Sequence, residues 1–255
     1  VLRADLVAVW RGVLRRVFPF LVVLLIWELL VQLGPLQNRM FPSLGAIGSS
    51  VATVWVRGEY QPHTAATAGR VLTGLAAALV AGIALGFLMA RIRAVELMVE
   101  PLFSATYAVP RLTLYPILIL AFGTGELTRF VLIFAECLYP ITISAFHGAQ
   151  AVRQSLVWAA RSMGTSGPML FWRVVAPASL PSIFSGVRIA APVGMIVGVV
   201  VEMIGANTGL GYLVMVAAAS FRPAEIFAYA LAIALAGFLL DRLIVAAQRR
   251  VVVWA

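Results

Sequence analysis

The chain contains no lysine; its nineteen basic residues are all arginine, against ten acids. A Walker-type phosphate loop uses a lysine to reach the phosphates, so this chain cannot hydrolyse a nucleotide through such a loop. Cysteine is almost absent as well. Cys137 stands alone in an apolar run, which excludes a disulfide framework and a thiolate metal site and makes it a packing residue. Only two histidines occur, His63 and His147, with no HExxH pair and no carboxylate cluster, so metal-dependent chemistry finds no ligand set. Charge of either sign is scarce: 11% of residues are charged and 62% are hydrophobic. With a mean hydropathy of +1.01, that excludes an ordinary soluble domain.

What is present is the pattern of an all-α polytopic membrane protein. The length accommodates about six helices of roughly 20 residues with short connections, as one transmembrane domain over residues 1–255 with a core at 67–247. The first span is Val17–Leu33, apolar apart from Glu28 and Gln32. It is longer than a secretory h-region and no small-x-small site follows, so it reads as a span and not as a cleaved leader. Residues 34–67 are polar and turn-rich, but Ile47, Val51, Val54 and Trp55 recur near helical period. A short interfacial helix inside an external loop is expected there, with His63 as a surface residue. Spans over 67–90, 96–122, 129–147, 182–205 and 224–245 follow. In the third, Pro110 and Pro116 cannot share a straight helix, and backbone freed at membrane depth needs protein or a water-filled cavity to receive it. A packing kink and a pathway-lining role both remain open. Small residues four apart build faces for close helix contact, namely Ala78, Gly82, Gly86 and Ala90 in the second span and Gly186, Ala190, Gly194 and Gly198 in the fifth.

Arginine gives the orientation, because basic residues concentrate on the cytoplasmic side. Arg3, Arg11, Arg15 and Arg16 precede the first span, Arg91 and Arg93 follow the second, Arg153, Arg161 and Arg173 occupy the loop at 148–181, and Arg242, Arg249 and Arg250 close the chain. Only Arg39, Arg57 and Arg222 fall on the other side, while Arg70, Arg111, Arg129 and Arg188 lie within or at the ends of spans. Both termini and the 148–181 loop are therefore expected in the cytoplasm, with Arg70 snorkelling at an outer end. The same bias accounts for the net charge of +9 without a nucleic-acid partner.

One stretch, 158–181, reads WAARSMGTSGPMLFWRVVAPASLP. Ala159 and Ala160 give a smooth helix face, Gly164 permits a positive φ, and Pro177 and Pro181 are expected to stop helices, giving a helix, a turn and a second helix returning to the membrane. The spacing resembles the cytoplasmic signature loop of binding-protein-dependent ABC importer permeases. Ala159, Ala160, Gly164, Val174 and Pro177 fall in register; Trp158 stands where that family has Glu, and Ala176 where it has Leu. Phe41-Pro42-Ser43, the run from Pro110 to Gly123-x-Gly125-Glu126, and Glu202 with Gly209 and Gly211 resemble its nitrate, sulfonate and taurine branch. The resemblance implies a type I ABC importer permease architecture in a bacterial inner membrane, surrounded by membrane lipids. It implies a second copy of the permease, two ABC ATPase subunits carrying ATP and Mg, and a periplasmic or lipoprotein substrate-binding protein, with no cofactor in this chain. The cargo it implies is a small oxyanion or organic sulfonate. Trp158, Ala159, Ala160, Arg161, Gly164, Val174 and Pro177 would form the ATPase-docking loop, and Gly123, Gly125 and Glu126 a tight external turn.

The candidates for pathway or gate are Pro110, Tyr115, Pro116, Glu136, Glu202, Gly209 and Gly211. A carboxylate inside a bilayer is costly unless paired or wetted. Glu28, beside Trp27 on the peripheral first span, reads as an interfacial or interhelical bonding residue. Glu136 stays open between lining the pathway and a structural bond, and Glu202 between shaping the gate and bonding the backbone of 205–211. Rival classes find less support. Ser144 and His147 share a helix face, but no nucleophile motif surrounds them, so no catalytic residue is assigned. A secondary carrier or channel calls for an internal repeat and paired buried charges, and neither is clear in the sequence.

Overall fold

The computed structural model describes residues 2–33, 40–58, 60–107 and 110–254, and the side chains of these except 2–14, 16 and 107. Gly34, Pro35, Arg39 and Val109, and the side chains of Arg3, Arg11 and Arg16, lie outside the described residues. Among those described, the regular structure is helical with no strand. Packing divides the chain into two units, Val1–Tyr60 with Val214–Leu231, and Gln61–Leu213 with Ala232–Ala255.

The first unit holds α1 (Leu2–Leu33) and α2 (Leu44–Arg57). The expected interfacial helix is α2. Ser43 caps its start by accepting the Ala46 N–H at 3.2 Å, and Gly58 ends it at φ 67°. Glu28 of α1 accepts the Leu44 N–H at 2.8 Å, a donor that no carbonyl within α2 can satisfy. Trp27 beside it donates to the Pro42 carbonyl at 3.2 Å and meets Phe41 edge-on. Glu28 is thus an interhelical partner, as its place beside Trp27 suggested.

In the second unit, α3 (Tyr60–Arg91), α6 (Glu126–Gln150) and α9 (Ala176–Gly205) share a core in which Val71, Ala78, Leu132, Ile133, Cys137, Ile141, Ala190 and Val201 are buried. The small-residue faces explain why. A Cβ on Gly82 would come 2.9 Å from Ile141 Cγ2, and one on Gly86 would press on the Thr142 carbonyl and Ala145 Cβ. Across α9, Gly186 faces Ser144 and the Pro140 carbonyl, and Gly194 faces Cys137 Sγ. Since lipid is as apolar as the side chains, such close backbone approach supplies the dispersion contact that holds membrane helices together. Gly74 extends the α3 face by a further turn, against Ile133. Cys137 is fully buried and its thiol donates to the Ala190 carbonyl at 3.5 Å.

Among the described residues, four helices are long and apolar enough to cross a membrane: Tyr60–Arg91, Glu126–Gln150, Gly167–Gly205 and Pro223–Val251. A bent pair passes the same test together, as a broken span or a re-entrant loop. α4 (Arg93–Tyr107) is followed by a 3-10 turn (Arg111–Leu114) and α5 (Tyr115–Phe122), and the two halves are bent by 88°. Within α1 the apolar stretch Val17–Leu33 is 17 residues, about 26 Å by helical rise. Pro110 lies at the break, whereas Pro116 occupies the first turn of α5, where its missing N–H costs nothing. Two boundaries differ from expectation. α3 starts at Tyr60, so His63 belongs to a membrane helix and not to a loop, and Pro62 is accommodated in the first turn. Pro177 and Pro181 do not stop a helix either: α8 (Gly167–Leu170), a π turn (Phe171–Val175) and α9 run on as one helix. The Ala176 N–H reaches back five residues to Phe171, and this wider turn makes room for the Pro177 ring against the preceding carbonyls.

Candidate functional site

Three places in the second unit carry polar or exposed groups that packing alone does not require. The first is a latch around Glu202, whose residue is only 1% exposed. Its Oε1 accepts from Arg70 Nη1 at 2.7 Å; its Oε2 accepts from Thr67 Oγ1 at 2.8 Å and from the Gly211 N–H at 3.0 Å. The Thr67 hydroxyl in turn accepts the Leu210 N–H at 2.8 Å. His63, one turn earlier on α3, accepts the Gly209 N–H through Nδ1 at 3.0 Å, and its ring stacks on Tyr212. Arg70 also donates to the Thr208 carbonyl and hydroxyl, each at 2.7 Å, and grips Glu126 bidentately at 2.7 and 2.8 Å. Arg129 bridges Glu126, at 2.7 Å, to the carbonyls of Thr124 and Gly205, at 2.9 and 2.6 Å.

Chemically, this is a neutral cluster of paired arginines and glutamates that fastens the loop before α10 (Leu210–Ala219) to the ends of α3 and α6. A buried charge is tolerated only when paired in this way, and among the described residues the one buried polar side-chain atom left without a partner is Arg129 Nε. Gly209 is obligatory on two counts: its φ is 122°, and a Cβ there would overlap the Glu202 carboxylate. A Cβ on Gly211 would overlap the Val199 carbonyl. Gly123 turns at φ 77° between α5 and α6, and its carbonyl accepts from Thr128 at 2.6 Å, so the turn read from Gly123, Gly125 and Glu126 forms where expected. Tyr115 belongs here and not in an open passage. It is 1% exposed, its hydroxyl donates to the Val201 carbonyl at 3.5 Å, and it abuts Gly205. Arg70 does not snorkel, because its guanidinium is spent on carboxylates and its side chain is 9% exposed. Sequence reasoning missed Arg70, Thr67, His63 and Arg129 as members of this cluster; the one available signal was that Arg70 and Arg129 sit in or at spans, where charge demands a partner.

The second place is a cavity of about 390 Å³ beside the break in the third span, lined by Pro110, Arg111, Glu136, Tyr139, Ser144 and Val193, among others. Arg111 Nη1 lies 3.2 Å from Glu136 Oε2, and the guanidinium sits over the Tyr139 ring at 5.4 Å. Pro110 and Glu136 are therefore brought together, while Pro116 is exposed on α5 and outside this cavity.

The third place is the stretch 154–177. α7 (Gln154–Ser162) ends in a Schellman turn, in which the Thr165 N–H reaches the Ala160 carbonyl and the Gly164 N–H the Arg161 carbonyl, both at 2.9 Å, with Gly164 at φ 83°. Ala160 turns inward and is 5% exposed, so of the alanine pair only Ala159 faces out. Trp158, Met163 and Trp172 are largely exposed, and Arg161 is exposed beside them, while Val174 and Pro177 are half-buried. Ser144 and His147 show no mutual hydrogen bond; Ser144 faces the α9 glycine, and His147 contacts Phe146.

Comparison with known proteins gives the chain a family. A family model described as "Binding-protein-dependent transport system inner membrane component" matches residues 78–253. The taurine transport system permease protein TauC of Escherichia coli (strain K12) is 33% identical over 217 residues, covering 85% of this chain and 77% of that protein. The putative aliphatic sulfonates transport permease protein SsuC of the same organism is 33% identical over 76% of this chain and 73% of its own length. The formylaminopyrimidine transport permease protein ThiX of Halalkalibacterium halodurans is 32% identical, with 76% of each chain covered.

Proposed function

The chain belongs to the binding-protein-dependent transport system inner membrane components, multi-pass permease subunits of ABC importers and not enzymes, and from that premise we propose that it pairs with a second copy of itself to form the pathway for a small sulfonate or related oxyanion. Two ATPase subunits would bind its 154–177 elbow from the cytoplasm and carry the ATP and Mg, and an external binding protein would deliver the solute. Both termini would lie in the cytoplasm, consistent with the clustering of arginine there.

The observation that carries the docking role is the bare apolar surface of the elbow. Trp158, Met163 and Trp172 are 64, 78 and 70% exposed; Trp158 stands on α7, Met163 at the turn closed by the Schellman bonds of Gly164 and Thr165, and Trp172 in the π turn. Bulky apolar side chains on an ordered turn are what a partner's pocket takes up. The cargo class is supported by the names of the taurine and aliphatic sulfonate permeases it resembles. Movement of nucleotide-bound subunits against the elbow would be transmitted to the membrane core through the unbroken helix Gly167–Gly205.

Reconstitution with its ATPase and binding protein in vesicles tests this directly. Uptake of a labelled sulfonate is expected only with ATP and all subunits present, with two permease chains per assembly. Sulfonate uptake that persists without the ATPase chains would place the protein among carriers instead.

A further inference from the structure

Resting on the reading that the cargo is a sulfonate, we propose that the Arg111–Glu136 pair is a seat for a zwitterionic aminosulfonate, with the sulfonate on Arg111 and the ammonium on Glu136. The pair is unlike the latch. Only one nitrogen of Arg111 is used: Nη1 donates to Glu136 Oε2 at 3.2 Å and to the Ala135 carbonyl at 3.4 Å. Among the described residues, its Nε and Nη2, and Glu136 Oε1, form no hydrogen bond. Both side chains keep some exposure, 14% and 17%, toward the cavity. A guanidinium presents its donors in a planar fork that matches a tetrahedral oxyanion, so two adjacent nitrogens remain for sulfonate oxygens.

The neighbouring groups fit the other end of the ligand. Pro140 lines the cavity and has no N–H to offer the Glu136 carbonyl, which leaves acceptor capacity beside the carboxylate. The Tyr139 ring lies under the Arg111 guanidinium at 5.4 Å and helps hold it beside the carboxylate. Ile143, Ile189 and Val193 supply an aliphatic wall for a short carbon chain.

The paired charges also discriminate. A simple alkanesulfonate entering here meets the Glu136 carboxylate, and a simple amine meets Arg111; a ligand carrying both charges exchanges one ion pair for two. The exchange is nearly balanced, because the empty seat is already neutral. That keeps binding weak enough for release, as a pathway site requires.

The test uses the detergent-solubilised permease–ATPase complex, without nucleotide or binding protein, and labelled 2-aminoethanesulfonate. Ethanesulfonate and ethylamine are expected to compete about tenfold more weakly. Glu136→Gln should lower affinity for 2-aminoethanesulfonate about tenfold while leaving ethanesulfonate bound at least as well, and Arg111→Gln should weaken both. The double variant R111Q/E136Q removes both charges together, so no unpaired charge threatens folding, and it too should lose the ligand. Wild-type affinity in these variants, or equal binding of the three compounds, would overturn the seat and leave a structural ion pair. Sulfonate import by the complete system alongside that result would leave the transport reading intact. Failure of the complete wild-type system to import any sulfonate would remove the reading, and the seat with it.

Discussion

Arg70 Nη1 and Glu202 Oε1 stand 2.7 Å apart across 132 residues of sequence. This contact joins α3 to the far end of α9, and it is dry, with the Glu202 side chain wholly inaccessible. In the low-dielectric interior, breaking such a pair by removing one member leaves the other charge uncompensated. Glu126, the second carboxylate on Arg70, cannot replace Glu202 because its own side chain is 62% exposed and shared with Arg129.

Glu202→Gln is therefore expected to destabilise the permease by ~3 kcal/mol, and Arg70→Gln by a similar amount. The double variant should lose ~2 kcal/mol less than the sum of the two, measured by unfolding of the solubilised protein. Strict additivity would show that the two groups are not coupled. In the assembled importer, Glu202→Gln should also alter transport and solute-stimulated ATP hydrolysis; no change in either would remove the latch from any gating role.

Two of the positive-φ glycines, Gly164 and Gly209, separate strain from collision. At Gly164 a Cβ meets nothing within 4 Å, so Gly164→Ala should cost only the φ penalty of ~1 kcal/mol. At Gly209 the same change places a methyl on the Glu202 carboxylate and should cost ~3 kcal/mol or more, since the buried pair must open. Equal unfolding shifts for the two variants would contradict the placement of the loop against Glu202.

Helix packing offers a matched pair on α3. A Cβ at Gly69 meets nothing within 4 Å, so Gly69→Ala should be neutral or mildly stabilising, by up to ~1 kcal/mol from helix propensity. Gly86→Ala drives a methyl into the Thr142 carbonyl and Ala145, and should destabilise by ~1–3 kcal/mol through overpacking. Thermal unfolding of both variants reads the difference.

On the elbow, exposure sorts the residues by role. Trp158→Ala removes surface that touches little of its own chain, so it should leave the permease's unfolding unchanged within ~0.5 kcal/mol while weakening ATPase retention on co-purification about tenfold or more. Ala160→Glu buries a charge within the permease itself and should lower its own stability. Wild-type ATPase retention with Trp158→Ala would dismiss the tryptophan as an anchor.

Much of this was legible in one sequence. Hydropathy marked the apolar stretches from 67 onward, because apolar length is dictated by membrane thickness whatever the partners, but it missed the helix starts at Tyr60 and Gly167. The elbow's turn at Gly164 was legible because a positive φ selects glycine locally. The course of the helix through Pro177 was not, since the π turn that admits it depends on backbone bonds reaching five residues back. His63 looked like a surface residue because its partners, Gly209 and Tyr212, lie far along the chain.

The sequence by itself determined the material: apolar segments of membrane length, arginines gathered at their ends, small residues in register and an elbow spaced like a docking loop. These are properties of each segment and its solvent. Only the tertiary structure decided which charges meet. It paired Glu202 with Arg70 inside a sealed latch and Glu136 with Arg111 beside an open cavity, because burial and partner geometry, set by how helices distant in sequence cross, govern what an intramembrane carboxylate can do.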